Sequence, residues 1–298
     1  MPQVAPPDTR ADNLRGAAFM LAAMGGFAVE DMLLKATARQ MPVGQMLIIF
    51  GLLGMAAFAV MTLRAGEVLL HPAITGRPML IRAVCEVTGR LFYTLAIVMT
   101  DLSSAAAILQ ASPLLVIGGA AVLFGERVSL ARWLAVGLGF VGVMVILRPG
   151  LDGFSALSLL AVLGMIGFSG RDLATRAAPR VLSHRQLGLY GFAALVPAGT
   201  ILLAISGGAQ VPSANGAGLV VMASAVGVAA YYALTVAVRT GAVGAVTPFR
   251  YSRLVFAMVL GFAVFGERPD AATLVGSAIV VAAGIFALTR RQSGMGFG

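Results

Sequence analysis

Almost the whole chain consists of apolar runs, most of them close to the roughly 20 residues that a helix needs to cross a bilayer. They cover residues 14–34, 41–63, 79–99, 102–124, 130–147, 157–175, 186–205, 216–238, 242–265 and 271–288. None alternates with the period of two that marks a barrel strand, so ten helical spans are expected. With 298 residues that are 59% hydrophobic and 11% charged, and a mean hydropathy of +0.94, the chain has more apolar surface than a soluble core can hide. The first run reads as a span and not as a signal peptide, because no small-residue cleavage site and polar domain follow it. Residues 1–13 and 292–298 read as mobile tails.

The chain also repeats itself. Phe124-Gly125-Glu126-Arg127 returns as Phe265-Gly266-Glu267-Arg268, an offset of 141 residues. The same shift carries Phe27, Asp31, Lys35 and Ala36 onto Phe168, Asp172, Arg176 and Ala177, and Gln45 onto Gln186. Ser129 and Asp270, in the same register, are good N-cap residues after each Gly-Glu-Arg turn. Matches near both ends of one ungapped unit argue for duplication and fusion. A unit of five spans leaves the membrane on the side opposite its entry, so its copy must be inverted. The expected fold is an all-α polytopic membrane protein with ten transmembrane helices in two inverted five-helix repeats, residues 14–150 and 151–291. Each Gly-Glu-Arg turn reads first as a tight interfacial turn with a local ion pair, a direct substrate role being the alternative.

The net charge of +9 lies in short connections and at helix ends, not in a basic, aromatic-interleaved domain, so nucleic acid is not an expected partner. With the N-terminus inside, the cytoplasmic segments receive most of the arginines and the opposite face only Lys35, Arg39, Arg148 and Arg268. The positive-inside rule thus favours both termini in the cytoplasm. The lone Cys85 has no partner for a disulfide, and His71 and His184 both sit near connections, so neither a metal site nor a cofactor is expected. No Walker signature is present, which argues against ATP-driven transport by this chain.

Several charges fall where lipid should be. Arg82, Glu86 and Arg90 recur every four residues with Tyr93 three further on, one face of the third span. The apolar segment left after Arg90 is too short to cross, so Arg90 and Glu86 must lie within the membrane, facing a partner or a cavity. An intrahelical ion-pair ladder is the structural alternative. The ninth span has the same property: Thr247 to Arg253 must lie partly in the bilayer, bent at Pro248, with Arg250 and Arg253 sharing a face. Together with Arg90 these give an interior more positive than negative, which suits a carboxylate substrate. Gln110, Tyr231, Tyr232 and Tyr251 are candidates for hydrogen bonds to it, or else packing residues. Asp31 with Lys35 and Asp172 with Arg176 are i,i+4 pairs in equivalent positions and read as gates or as interfacial anchors. Glu30 is the candidate protonatable coupling carboxylate, with protons as the coupling ion.

Two Phe-Gly-Glu-Arg turns, each before the last helix of a five-helix half, with Pro113 in the fourth span, resemble the EamA-type drug/metabolite transporters over nearly the whole chain. The second half departs from the pattern, with Leu254 where Pro113 would fall and Pro248 earlier. The resemblance implies a multi-pass protein of the bacterial inner membrane that exports or exchanges small metabolites, the ten-helix amino-acid exporters being the nearest branch by size and layout. Substrate contacts are then expected from Glu86, Arg90, Tyr93, Gln110, Tyr231, Arg250 and Tyr251, and gating or coupling from Glu30, Asp31, Lys35, Asp172 and Arg176. An intramembrane or lipid-modifying enzyme is the alternative class, against which the lack of a nucleophile–base constellation counts; a receptor or channel is a third.

Overall fold

The computed structural model describes residues 10–125, 128–148, 155–179, 181–240 and 246–289. Among these residues the secondary structure is entirely helical. Twelve α-helices follow one another: α1 (Arg10–Thr37), α2 (Val43–Arg64), α3 (Arg77–Met99), α4 (Leu102–Leu109), α5 (Ser112–Phe124), α6 (Leu130–Leu147), α7 (Ser158–Ala177), α8 (His184–Ala193), α9 (Leu195–Ser206), α10 (Ala214–Thr240), α11 (Ser252–Phe265) and α12 (Ala271–Thr289). Short 3-10 turns at Pro72–Thr75 and Thr247–Tyr251 complete them. Helix α1 begins at Arg10, inside the segment expected to be a tail.

Two of the apolar runs are broken helices. Proline has no N–H, and its ring clashes with the carbonyl four residues earlier. Helix α4 ends at Leu109, four before Pro113, and α8 ends at Ala193, four before Pro197. The linking residues Gln110, Ala111 and Ala194 stay in the right-handed helical region, so each run bends without reversing. Counting each broken helix as one, seven segments among the described residues are long and apolar enough to cross a membrane. Helices α3 and α7 are not among the seven because Arg82, Glu86 and Arg90 sit in one and Arg171 and Asp172 in the other. Helix α12 contributes a shorter apolar stretch, Ala271–Ala287.

Helices α3 and α7 turn their charged faces into the bundle and apolar residues such as Val84 and Ile166 outward. Helix α3 packs along α7, α1 along α10, α6 along α12, and α2 along α8 and α9. Small residues set two close crossings, of α1 on α10 and of α3 on α7. A Cβ on Gly26 would stand 2.8 Å from that of Ala230, and one on Gly167 would stand 2.4 Å from the Gly89 nitrogen. The offset of 141 residues converts one contact into the other, Gly26 to Gly167 and Gly89 to Ala230. It also relates two loop clamps. Gln45 on α2 bonds both backbone groups of Gln210, at 2.7 and 2.9 Å, and Gln186 on α8 donates to the Val68 carbonyl at 2.8 Å. Large apolar residues such as Val122, Leu134, Val259 and Phe262 are exposed on the bundle exterior, as lipid contact requires.

Because Gly167 meets backbone, a side chain there has nowhere to go. Gly167→Ala is expected to lower stability by about 1–3 kcal/mol through overpacking. Gly137→Ala and Gly218→Ala, whose added methyls would meet nothing within 4 Å, should be neutral or slightly stabilising. Thermal unfolding of the detergent-solubilised variants measures the difference.

Candidate functional site: a polar column inside the bundle

The charges of α1, α3, α7 and α11 form a column along the bundle, in three sets. In the first, Arg82 donates to Thr175 Oγ1 at 3.0 Å and to the Leu187 carbonyl at 3.2 Å, and lies 3.5 Å from Glu86. Glu86 also meets Arg171 at 3.3 Å, and Arg171 grips Asp172 through two nitrogens at 2.8 and 2.9 Å. Gly191 on α8 packs beside this pair, and a methyl there would stand in ordinary contact with Arg82 and Glu86 at 3.7 Å.

The central set joins adjacent residues of α1 to two different helices. Glu30 pairs with Arg90 of α3 at 3.0 Å, and Asp31 with Arg253 of α11 at 2.6 Å. The Tyr93 hydroxyl donates to the same Asp31 oxygen at 3.2 Å. Aromatic rings flank the guanidinium groups: Phe50 and Phe168 lie 5.6 and 5.9 Å from Arg90, and Phe27 and Tyr93 lie 5.3 and 5.7 Å from Arg253. Such cation–π contacts hold a charge without neutralising it. Gly227 on α10 leaves the space that Glu30 fills; a methyl there would be 2.8 Å from Glu30 Oε2. Four buried polar atoms of this region have no protein partner: Asp31 Oδ1, Arg90 Nε, Arg253 Nε and Thr94 Oγ1. Buried polar groups without partners are uncommon, and their gathering marks a place for a polar guest or water.

The third set lies at the end of the column, where α1 stops. Lys35 Nζ bonds Glu267 Oε1 and the Thr100 carbonyl, both at 2.7 Å. Glu267 accepts in addition from the backbone N–H of Leu102 at 2.9 Å and of Ser103 at 3.2 Å, the free first turn of α4. The turn that presents it is built by its neighbours. Gly266 takes φ +69° as the left-handed cap of α11, the Phe265 ring stands 5.1 Å from Lys35, and a methyl at Gly261 would fall 2.5 Å from Glu267 Oε2.

This geometry corrects several sequence expectations. Asp31 and Lys35 do not pair with each other; each reaches a different helix, because a partner across the bundle neutralises a charge that a neighbour on the same helix would leave facing outward. Asp172 pairs with Arg171, and the Arg176 side chain lies outside the described residues, as do Glu126 and Arg127. Of the expected Arg82–Glu86–Arg90 ladder only the first rung forms. The expected surplus of positive charge is not seen at Arg90 and Arg253, since among the described residues Arg82, Arg90, Arg171 and Arg253 all meet carboxylates. Among the described residues no ion pair joins Arg250, whose carbonyl instead accepts from Gln110 at 3.0 Å. Tyr251 is turned into α12, where a methyl on Gly284 would meet its hydroxyl, and its hydroxyl has no partner. Tyr231 packs edge-on against Phe58 at 5.2 Å, whereas Tyr232 is exposed. The Glu267 turn carries no local Glu–Arg pair; its carboxylate reaches Lys35, 232 residues away in sequence. Phe27 and Phe168, noticed only as repeat markers, prove to be rings beside the arginines, Ser103 could be read only as part of a small-residue run, and Thr94 gave no signal at all.

A transporter-like arrangement of this kind agrees with what the chain resembles. The model of the EamA-like transporter family matches residues 14–148 and again 156–289. The chain belongs to the EamA-like transporter family. Within the curated relatives, a riboflavin transporter of Rhizobium johnstonii is 29% identical over 207 residues, 70% of this chain and 68% of that one. An S-adenosylmethionine uptake transporter of Rickettsia felis is 25% identical, over 74% and 75% of the two chains. A pseudopaline exporter of Pseudomonas aeruginosa is 26% identical over 277 residues, 90% of this chain and 93% of the relative. A solved crystal structure shares the fold with a TM-score of 0.54 at 20% identity, covering 93% of this EamA-like chain and 98% of that one. The protein is thus a multi-pass membrane transporter, and these relatives are themselves named as transporters of small molecules.

Removing one member of a buried pair strands the other charge, at a typical cost of about 3–5 kcal/mol. Asp31→Asn is therefore expected to destabilise strongly, and Arg253→Gln to recover part of that loss. A double-mutant cycle on thermal stability should give coupling of Asp31 to Arg253 and little to Lys35; the reverse result would restore the intrahelical pair.

Proposed function

We propose that this protein is a secondary exporter or exchanger of small zwitterionic metabolites, amino acids above all, which pass through the polar column by alternating access. The observation that carries this reading is the balanced central set: two carboxylates, Glu30 and Asp31, against two guanidinium groups, Arg90 and Arg253, with unpartnered atoms on three of the four. A bare anion or cation entering this set would leave one protein charge uncompensated in a poorly hydrated place. A zwitterion exchanges partners instead, its carboxylate taking an arginine and its ammonium a carboxylate. The balanced set thus narrows the expected carboxylate substrate to one carrying both charges. Glu86, Tyr93, Gln110 and Tyr231 flank the path in this scheme, while Arg250 and Tyr251 act at most through the backbone bend they occupy.

The proposed architecture is ten spans in two inverted five-helix halves. Helices α3, α7 and α12 join the seven long apolar segments, and the reciprocal contacts of Gly26–Ala230 and Gly167–Gly89 support the exchange of halves. The arginine distribution supports cytoplasmic termini in a bacterial inner membrane. Glu30, beside a second carboxylate and an arginine, is the proposed proton-coupling group. The direction of net flux follows the gradients, consistent with relatives named both for uptake and for export.

Counterflow in proteoliposomes tests the substrate class. Liposomes loaded with an unlabelled amino-acid mixture should accumulate labelled aliphatic and aromatic amino acids, while their methyl esters and N-acetyl derivatives compete poorly. Arg90→Ala should reduce counterflow at least tenfold without preventing membrane insertion. Exchange of esters as fast as free amino acids, or exchange of none of the amino acids, would overturn the zwitterion reading.

A further inference from the structure

The two ends of the polar column differ in accessibility. Side-chain exposure is 28% at Asp172 and 26% at Arg171 at one end and 10% and 5% at Lys35 and Glu267 at the other, while between them Arg90 and Arg253 are 16% and 17% exposed and Glu30 and Asp31 3% and 0%. The Arg82–Glu86 pair, at 6% and 5%, is sheltered to one side by α8. One carboxylate closes the less exposed end. Glu267, on the turn between α11 and α12, holds Lys35 of α1 and the first two N–H groups of α4, and Lys35 in turn holds the carbonyl of Thr100 between α3 and α4. Three segments meet at the Glu267 side chain, and Lys35 adds the α3–α4 connection.

We infer that Glu267 is the positioning residue that keeps this face shut, and that release of its carboxylate from Lys35 and the α4 N-terminus is the step that opens the face. The inference rests on the alternating-access reading. Three features make the contact a switch and not merely a weld. Every bond that Glu267 makes through its side chain runs to the first half of the chain, so none survives separation of α11 from α1 and α4. Both partners are ionic, so parting them requires water to enter, and a half-open state with one dry charge is unfavourable. The space for the carboxylate exists only because position 261 is glycine. The contact thus has two stable conditions, paired and dry or parted and hydrated, and a ligand that favours either one shifts the population between them.

Accessibility reports the state without requiring a substrate. Ile97, 1% exposed and one turn before Thr100 on α3, becomes the reporter as Ile97→Cys in a Cys85→Ala background. A membrane-impermeant maleimide is applied from the face that carries Glu267 and, separately, from the other. Glu267→Gln keeps the size and an oxygen for the α4 N–H groups but loses the charge, while Lys35→Gln leaves the Glu267 cap of α4 in place. Both should raise labelling from the Glu267 face about tenfold, the scale of a modest conformational coupling. Lys35→Arg, which retains the charge, should stay near the parent rate. Unchanged labelling in well-inserted, monodisperse variants would overturn the inference, and so would an equal rise from both faces, which marks loosening of the whole bundle. A labelling response with no amino-acid counterflow would sink the substrate reading and leave the switch standing. Counterflow with no labelling response would do the opposite.

Discussion

Everything inside this bundle follows from the rule that a charge out of water must be answered by another charge. Leaving an ionised group unpaired in a low-dielectric interior costs several kcal/mol even after relaxation. The chain places charges from α1, α3, α7 and α11 within it and answers four pairs across a helix boundary, Glu30 by Arg90, Asp31 by Arg253, Lys35 by Glu267 and Glu86 by Arg171, while Arg82 with Glu86 and Asp172 with Arg171 pair along one helix. Helix α1 alone carries three of the eight groups in those four cross-helix pairs and so is tied to α3, α11 and the turn beyond it. The small-residue crossings of α1 on α10 and of α3 on α7 bring the charged faces close enough for those bonds. Packing and electrostatics are one arrangement here, since the glycines that permit contact stand within a turn or two of the charges that require it.

On the proposed function, that arrangement also explains how the interior would accept a guest. Ion pairs made between helices, and not along one, can exchange partners when the helices move. The aromatic rings beside Arg90 and Arg253 keep those guanidinium groups in position while a carboxylate comes or goes. A pair confined to one helix would survive any rigid-body motion unchanged and could not register which state the bundle is in.

Much of this was legible in the sequence, and the boundary of legibility has a physical cause. The apolar runs, the membrane class, the family and the repeat could be read because each is a local or periodic property. The need to hide Arg90 and Glu86 was also readable, because a span has a minimum length. The partners were not. An i,i+4 spacing shows that Asp31 can reach Lys35, but nothing along the chain reveals that α11 brings Arg253 closer. The breaks after Leu109 and Ala193 escaped a hydropathy reading because leucine and alanine continue on both sides of each bend; Pro113 and Pro197 were the available signal. Glu267 was read as part of a turn, when the turn exists to aim it elsewhere. The repeat held that information in part: it singled out the Phe-Gly-Glu-Arg turns and the Phe27/Phe168 pair without saying what they touch.

The distance between Lys35 and Glu267 along the chain has a consequence for how the protein is made. The lysine precedes its partner by 232 residues, which at synthesis rates of roughly 5–20 residues per second is a wait of about 10–50 s. Through that interval α1 is already apolar enough to enter the bilayer, and its ammonium group lacks the carboxylate that it holds in the finished fold. A lysine at the end of a helix can reach back to the headgroups on its flexible stem, so α1 begins life with its end at the water's edge. It is drawn into the bundle only when the last turn arrives. The final helices therefore complete the first one, and a nascent chain arrested before α11 would present the cell with an N-terminal half whose leading helix still belongs to the interface.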